Sequence, residues 1–367
     1  MKTVIIGGVA GGATAAARLR RLDEQGEIVL FERGGYVSYA NCGLPYYIGG
    51  VISDRERLFL QTVEGFSSKY GVDARVYSEV QSIDSKSKSI SVKNLQTGEE
   101  YVESYDKLIL STGASPRKLN IEGSDDTRIF TLRDVTDTDH IKNYINEHNP
   151  KRAVVVGAGF IGLEMVESLH ELGIEVDVIQ REDQIMLPLD IPMAQLVQKT
   201  LSDNQVEVYL DDEVNRFEDL GTTLKLHLKS GKTLTADLVI VSIGVQPETS
   251  LAKSAGLALG DRGGIKVDEY MQTSNEDIYA VGDVIEVFNP VINQYSLIPL
   301  AGPANKQGRI VADNVVYGKK STYKGSIGTS IAKIFDLTVA AAGANSKLLK
   351  MCNIDYYESY IHGTSNA

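Results

Sequence analysis

The stretch SYANCGLPYYIGG, residues 38–50, holds Cys42, one of two cysteines in a chain of 367 residues. The reactive form of cysteine is the thiolate, and its pKa falls at a helix N-terminus. Pro45 suits a first helical turn, and Gly49 and Gly50 suit a helix end. The spacing therefore predicts a short helix with Cys42 at or just before its start. An inert buried thiol does not require Asn41, Gly43 and Pro45 around it. Cys352 has no such frame and reads as the inert kind. Two cysteines so far apart make neither a disulfide framework nor a zinc site, and they suit a reducing cytoplasm. The histidines at 140, 148, 170, 227 and 362 show no ligand spacing or catalytic pairing, and no metal is expected.

Two glycine turns have the form of phosphate sites. In a strand, glycine turn and helix, backbone N–H groups and the positive helix end face a pyrophosphate, and an acid closing the next strand reaches a ribose hydroxyl. Gly157-Ala158-Gly159-Phe160-Ile161-Gly162 fits that pattern in full. In the first turn Gly7, Val9 and Gly12 hold the three positions, with Gly8 and Gly11 supplying part of the flexibility. Glu32, followed by Arg33, ends the strand about 20 residues after that turn, where a ribose ligand belongs. After the second turn the matching place carries Gln180 and Arg181. A carboxylate there favours NADH, whereas an arginine accepts the extra phosphate of NADPH. Both cofactors stay open, as does Arg181 as a solvated charge, and Gln180→Glu is expected to shift preference towards NADH. Asp283, after Gly282 in TSNEDIYAVGD, has the place of a cofactor-hydroxyl anchor and equally the form of a common turn.

Those residues need elements to hold them. Residues 2–6 form a β-branched run, Gly7 to Gly12 a turn, Ala13 to Leu22 a helix and EIVLFER a second strand. RAVVVG, AGFIG, a helix from Leu163 to Leu172 and EVDVIQR repeat that order, so two Rossmann-like α/β nucleotide modules are predicted. Amphipathic strands such as VKNLQTGEEYVE, YDKLILSTGASP and KLHLKSGKTLTADLVIVSIGVQP lie between and after them. Thr14, Arg18 and Arg21 fall at i, i+4 and i+7 on one face of the first helix, an anion-ready stripe or a plain solvated face. The start, MKTVIIGGVAGGATAAARLRR, has the outline of a signal peptide, but its four glycines and three arginines suit strand, turn and helix better. No stretch approaches the roughly 20 apolar residues of a membrane span. A net charge of −12 gives no general attraction to nucleic acid or anionic membrane. The closing YIHGTSNA has no helix stop or strand partner and reads as a cut end.

Taken together, VIIGGVAGGATAAARLRRLD, STGASP, VVGAGFIGLEM and IYAVGD resemble the successive FAD, linker, NAD and FAD segments of the FAD- and NAD(P)H-dependent pyridine nucleotide–disulfide oxidoreductases. SYANCGLPYYIGG is similar to the single-cysteine branch containing coenzyme A-disulfide reductases and NADH-dependent persulfide reductases. The resemblance implies a glutathione reductase-like fold. An FAD domain would be split between residues 1–115 and 245–320, with an NAD(P)H domain inserted at 116–244 and an α+β interface domain starting at 321 and incomplete at 367. In the family that last domain builds a homodimer and lends groups to the partner's active site. Those groups, and the rhodanese domain of some relatives, are not among these residues. The resemblance also implies Thr112, Gly113, Gly244 and Ala301 as cofactor contacts, and Thr14, Arg18, Arg21, Ser38, Asn41 and Lys69 as coenzyme A contacts. Asn305 stands where some coenzyme A-disulfide reductases carry a histidine.

Relatives of glutathione reductase carry two cysteines four residues apart, whereas Cys42 has no such neighbour and must pair with an external sulfur. The implied path runs from NADH or NADPH through FAD to a mixed disulfide on Cys42, with coenzyme A disulfide, its persulfide or polysulfide as substrate. A resting Cys42 would hold coenzyme A or a persulfide sulfur. Two rival readings stand beside this one: an NADH oxidase or peroxidase that cycles Cys42 through a sulfenic acid, and a nucleotide-binding redox sensor without turnover. The oxidase relatives carry a histidine in the first glycine turn where Ala10 stands here, and alanine handles no proton.

Overall fold

The computed structural model describes residues 1–361 and 363, so His362 and the terminal Ala367 lie outside the described residues. Lys2–Ile6 buries Val4, Ile5 and Ile6, and Glu27–Phe31 buries every residue after its first. Continuous apolar runs of this kind suit parallel strands covered on both faces. The two strands sit in a five-stranded parallel sheet with the spatial order Ile278–Ala280, Lys107–Leu110, Lys2–Ile6, Glu27–Phe31, Asp73–Arg75. Val4 lies opposite both Val29 and Leu108. A second parallel sheet runs Glu207–Tyr209, Glu175–Ile179, Arg152–Val156, Leu238–Val241, Ile129–Phe130. In each sheet the strand that leads into a glycine turn is central, and the connections leave it in opposite directions. The crevice that results opens at the carboxyl ends of the strands.

Nine helices are described: α1 (Ala10–Leu22), α2 (Leu44–Ile48), α3 (Val63–Tyr70), α4 (Val135–His148), α5 (Phe160–Glu171), α6 (Ile191–Asp203), α7 (Ser250–Ser254), α8 (Ala301–Tyr317) and α9 (Ser346–Met351). α1 and α5 each start three residues ahead of the sequence expectation, at Ala10 and Phe160, and α5 ends at Glu171. The glycines read there as turn residues are inside the first helical turn. They are needed for closeness: a Cβ on Gly12 would lie 1.9 Å from Gly7 O, and one on Gly162 would lie 2.0 Å from Gly157 O.

The chain crosses between the sheets at Ala114–Pro116 and Val245–Pro247, which pair antiparallel. Two three-stranded antiparallel sheets flank the parallel ones, Ser78–Asp84 with Ser89–Asn94 and Glu100–Ser104, and Val214–Asp219 with Leu224–Leu228 and Thr233–Ala236. Near the C-terminus a hairpin, Ser330–Ile334 with Leu337–Ala341, packs Ile334, Phe335 and Val339 into the core of the second sheet. Asn345 caps α9 and also donates to Leu187 O and Leu189 O, fastening this segment to the second module. No described helix is long and apolar enough to cross a membrane.

Candidate functional site

Cys42 lies in a 3-10 turn, Asn41–Gly43, that leads directly into α2. Pro45 occupies the first turn of α2, Gly49 ends it, and Gly50 follows with φ +83°. Leu44 and Ile48 are buried with Leu58 in the core around α5, each contributing roughly 1.5–3 kcal/mol. Gly49 is required there, because a Cβ would lie 2.8 Å from the Cα of Ser168 on α5. Lys142 of α4 donates to Tyr47 O at 2.7 Å and Ile48 O at 3.3 Å, and closes the carbonyl end of α2. The helix is thus anchored on three sides while Cys42 remains exposed.

The expected lowering of the thiol pKa is corrected by the structure. Loss of solvent around the sulfur, then the Glu164 carboxylate, push the Cys42 thiol up, and Asp283 adds to this. A five-residue helix aligns few peptide dipoles, and desolvation followed by the charge of Glu164 outweighs them. Cys352 is half-buried at the C-terminal end of α9.

The first glycine turn forms a cradle. Gly7 has φ +100°, and a Cβ on it would lie 2.1 Å from Ser111 O. The amides of Ala10, Gly11 and Gly12 begin α1 and have no acceptor within the helix. Glu32 accepts the N–H of Gly8 at 2.8 Å on one oxygen and that of Gly34 at 2.9 Å on the other, so it braces the turn whose ribose it was expected to hold. Thr112 and Gly113 follow the strand Lys107–Leu110, and Thr112 donates to Glu248 O at 2.8 Å. Gly113 and Gly244 both have positive φ at the two crossings. Gly282 opens a 3-10 turn after Ile278–Ala280, with its N–H on Gln307 Oε1 at 2.7 Å. The strand therefore ends at Ala280, ahead of Gly282 and Asp283. Asp283 in that turn is pushed up to about 6 by burial, against the pull of Arg133. Ala301 starts α8, whose Gly308 sits so close to α1 that a Cβ would lie 2.5 Å from Gly11 O. The topology thus gathers Gly7–Gly12, Glu32, Thr112, Gly113 and Asp283 at the carboxyl ends of one sheet. Arg33 turns towards Glu79 at 3.8 Å and is half exposed.

The second module repeats the device with one change. Gly157 has φ +105°, and Gly159, Phe160, Ile161 and Gly162 carry the chain into α5. Gln180 is buried, accepts the N–H of Ala158 at 2.8 Å and donates to Glu182 at 2.6 Å. It does for Ala158 what Glu32 does for Gly8. Arg181 is also held by Glu182, at 2.7 Å. The motif position itself carries Gln180, and Glu182, two residues beyond it, is tied to that strand end through Gln180.

The stripe Thr14, Arg18, Arg21 is only partly open. Thr14 Oγ1 donates to Asn305 Oδ1 of α8 at 2.8 Å, and Arg18 reaches Asp313 of α8 at 2.9 Å, so a partner helix covers two of the three. Arg21 is exposed, as is Lys69 on α3, which Arg20 ties to the end of α1 through Tyr70 O and Gly71 O. Ser38 has φ +51° and donates its N–H to Gly8 O at 2.8 Å, which places the segment bearing Asn41 and Cys42 beside the first cradle. His227 lies 2.6 Å from Glu218 in an outer hairpin, a pairing that spacing did not signal. Sequence reasoning also missed Glu164, two residues past Gly162, whose carboxyl is pushed up to about 7 by burial and by Glu167.

Residues 1–308 match the family described as pyridine nucleotide-disulphide oxidoreductase. A coenzyme A disulfide reductase of Staphylococcus haemolyticus is 37% identical over 355 residues, 97% of this chain and 79% of that protein. The structure of reduced Bacillus anthracis CoADR-RHD is similar with a TM-score of 0.95 and 53% identity, over 97% of this chain and 64% of that one. A NAD-dependent persulfide reductase from A. fulgidus gives a TM-score of 0.94 at 37% identity, over 97% and 66%. The chain spans just under two thirds of those two structures. On the family match and these identities, the chain belongs to the pyridine nucleotide-disulphide oxidoreductase family.

Proposed function

We propose that this chain is the reductase part of a flavoprotein that takes electrons from NADH or NADPH and uses Cys42 to reduce coenzyme A disulfide or a coenzyme A persulfide or polysulfide. The observation that carries the reading is an exposed Cys42 held rigidly beside the first glycine cradle, with the other cysteine at the end of α9. A thiol so placed forms its disulfide with a sulfur from outside. The names of the relatives point to coenzyme A disulfide and persulfides as that sulfur.

The first cradle fits FAD: its glycines leave no room for side chains, and the start of α1 offers free amides to a pyrophosphate. Bound there, FAD supplies two-electron transfer between nicotinamide and thiol. The protein's own part is to hold the second dinucleotide at Gly157–Gly162, to present Cys42, and to bind the phosphates of coenzyme A through Arg21, Lys69 and the shared Arg18. Cys42 as thiolate attacks the substrate disulfide; a Cys42–sulfur bond forms, the substrate S–S bond breaks, and the leaving thiolate takes a proton. The same reading assigns residues 1–115 and 245–320 to FAD, 116–244 to NAD(P)H and 321 onwards to a homodimer interface in a cytoplasmic protein. Ala10 at the start of α1 offers no proton for peroxide chemistry, which favours this reading over the oxidase.

Anaerobic stopped-flow absorbance tests it. In Cys42→Ser, flavin reduction by NAD(P)H should persist while reoxidation by coenzyme A disulfide or persulfide disappears. Reoxidation at near the parent rate sinks the reading.

A further inference from the structure

We propose that Asp139 and Lys142 of α4 are positioning residues for Cys42: the second module holds the thiol segment at both of its ends and so sets where the sulfur stands beside the first cradle. The proposal rests on Cys42 being the redox thiol and adds how that thiol is placed.

Residues 32–62 leave the first sheet after Glu27–Phe31 and return to it through α3 and Asp73–Arg75. Yet Leu44, Ile48 and Leu58 of this segment lie in the core around the second sheet, together with Val135 and Ile141 of α4. The Ser38 N–H on Gly8 O, at 2.8 Å, joins the same segment to the first cradle. Cys42 is therefore carried on a stretch that bridges the two modules.

Asp139 and Lys142 are three residues apart on α4 and share a face. Asp139 takes Arg55 in a two-point fork, Nε to Oδ1 at 2.9 Å and Nη2 to Oδ2 at 2.6 Å, a planar pairing open to arginine and not to lysine. The two side chains are 27% and 28% exposed, so solvent screens the pair less than a surface one. The guanidinium also donates to Tyr36 Oη at 2.7 Å and lies against the rings of Tyr36 and Phe59, which stack on each other at 5.0 Å. On either side of Phe59, Leu58 O accepts from Ala40 N–H at 2.8 Å and Leu60 N–H donates to Ser38 O at 2.9 Å. Arg55 thus fixes the pairing that delivers the chain to Asn41 and Cys42. Lys142 works on the far end, where its ammonium reaches Tyr47 O and Ile48 O and lies 4.4 Å from the centre of the Tyr47 ring. The helix is itself tied to the second sheet, since Tyr144 donates to Asp237 O at 2.8 Å just ahead of Leu238–Val241. Cys42 stands between two clamps of the second module, and its distance from the first cradle follows the placement of that module.

The test compares the FAD-loaded parent with Lys142→Met, which keeps the stem and loses the donors, and with Asp139→Asn, which removes the charge of the fork. Lys142→Arg keeps charge and donors and serves as the rescue. Hydrogen exchange, read by mass spectrometry on the peptide spanning residues 42–52, should speed up roughly tenfold in Lys142→Met, the effect of one charge-assisted bond lost. In Asp139→Asn the faster exchange should fall on residues 36–41. Anaerobic stopped-flow should show flavin reduction by NADH or NADPH unchanged in both variants. Reoxidation by coenzyme A disulfide should slow about tenfold at an unchanged half-saturating concentration, because the thiol is displaced while the cationic side chains of α1 and α3 are not. Lys142→Arg should behave as the parent. Unchanged exchange at residues 42–52 in Lys142→Met overturns the proposal, and so does reoxidation at the parent rate in both variants. Flavin reduction and reoxidation falling together, or an arginine variant that restores neither readout, overturns it too, since either marks a general loss of fold. A parent protein inactive with coenzyme A disulfide and persulfide counts against the proposed function alone; hydrogen exchange needs no sulfur substrate and still decides the clamp.

Discussion

Replacing Gln180 by glutamate separates a surface reading of that position from the buried one. At an exposed strand end, Gln180→Glu would add a ribose ligand and favour NADH. In the structure, however, the Gln180 amide nitrogen is 2.6 Å from a Glu182 oxygen, and its own oxygen holds Ala158 N–H in the pyrophosphate turn. A carboxylate placed there repels Glu182 by roughly 6 kcal/mol at an effective dielectric constant of about 20. Glu182 is 32% exposed, and screening reduces this to about 3 kcal/mol, or about two pKa units. The introduced carboxyl then has a folded pKa near about 6 against about 4.3 when unfolded. The folded state prefers the protonated form, so stability is lost as pH rises from the unfolded value through the folded one. Urea unfolding should find the variant weaker than the parent by about 1 kcal/mol at pH 5 and about 3 kcal/mol at pH 8. Since the turn itself is disturbed, KM for both nicotinamide cofactors should rise at pH 8 with their ratio unchanged. A variant as stable as the parent at pH 8, with a raised NADH preference, would show that position 180 faces the cofactor and that the burial argument is wrong.

The specificity effect should appear instead at Glu182. Glu182→Gln removes the carboxylate that Gln180 and Arg181 hold at the strand end, and the kcat/KM ratio of NADPH to NADH should rise several-fold, about the effect of one partly screened charge; no change in that ratio would place the determinant elsewhere. Gly49→Ala forces α2 away from the α5 backbone at a 2.8 Å contact. It should cost about 1–3 kcal/mol in urea unfolding and slow the reaction of Cys42 with disulfides; a variant of parental stability would mean the contact gives way easily.

The two nucleotide modules were legible in the linear chain because their chemistry is local. Gly7 and Gly157 must adopt positive φ, Gly12 and Gly162 must pass close to the carbonyl five residues back, and the β-branched runs beside them make buried parallel strands in either context. The frame of Cys42 was legible for the same reason, since Pro45, Gly49 and Gly50 mark the start and end of α2 within a few residues. Neither the charge around the sulfur nor the partners of the stripe could be read that way. The charge of Glu164 acts on Cys42 only because α2 lies against α5, over a hundred positions later, and that of Asp283 only because Ile278–Ala280 returns to the first sheet after the second is built. Arg18 meets Asp313 across two packed helices, and Gln180 turns inward because the buried Ala158 amide needs an acceptor. Local backbone conformation depends on neighbouring residues, whereas electrostatics and side-chain direction depend on whatever the fold brings within a few ångströms; that is why the glycines and the thiol were visible in the sequence, and the ionisation of that thiol was decided by the tertiary structure.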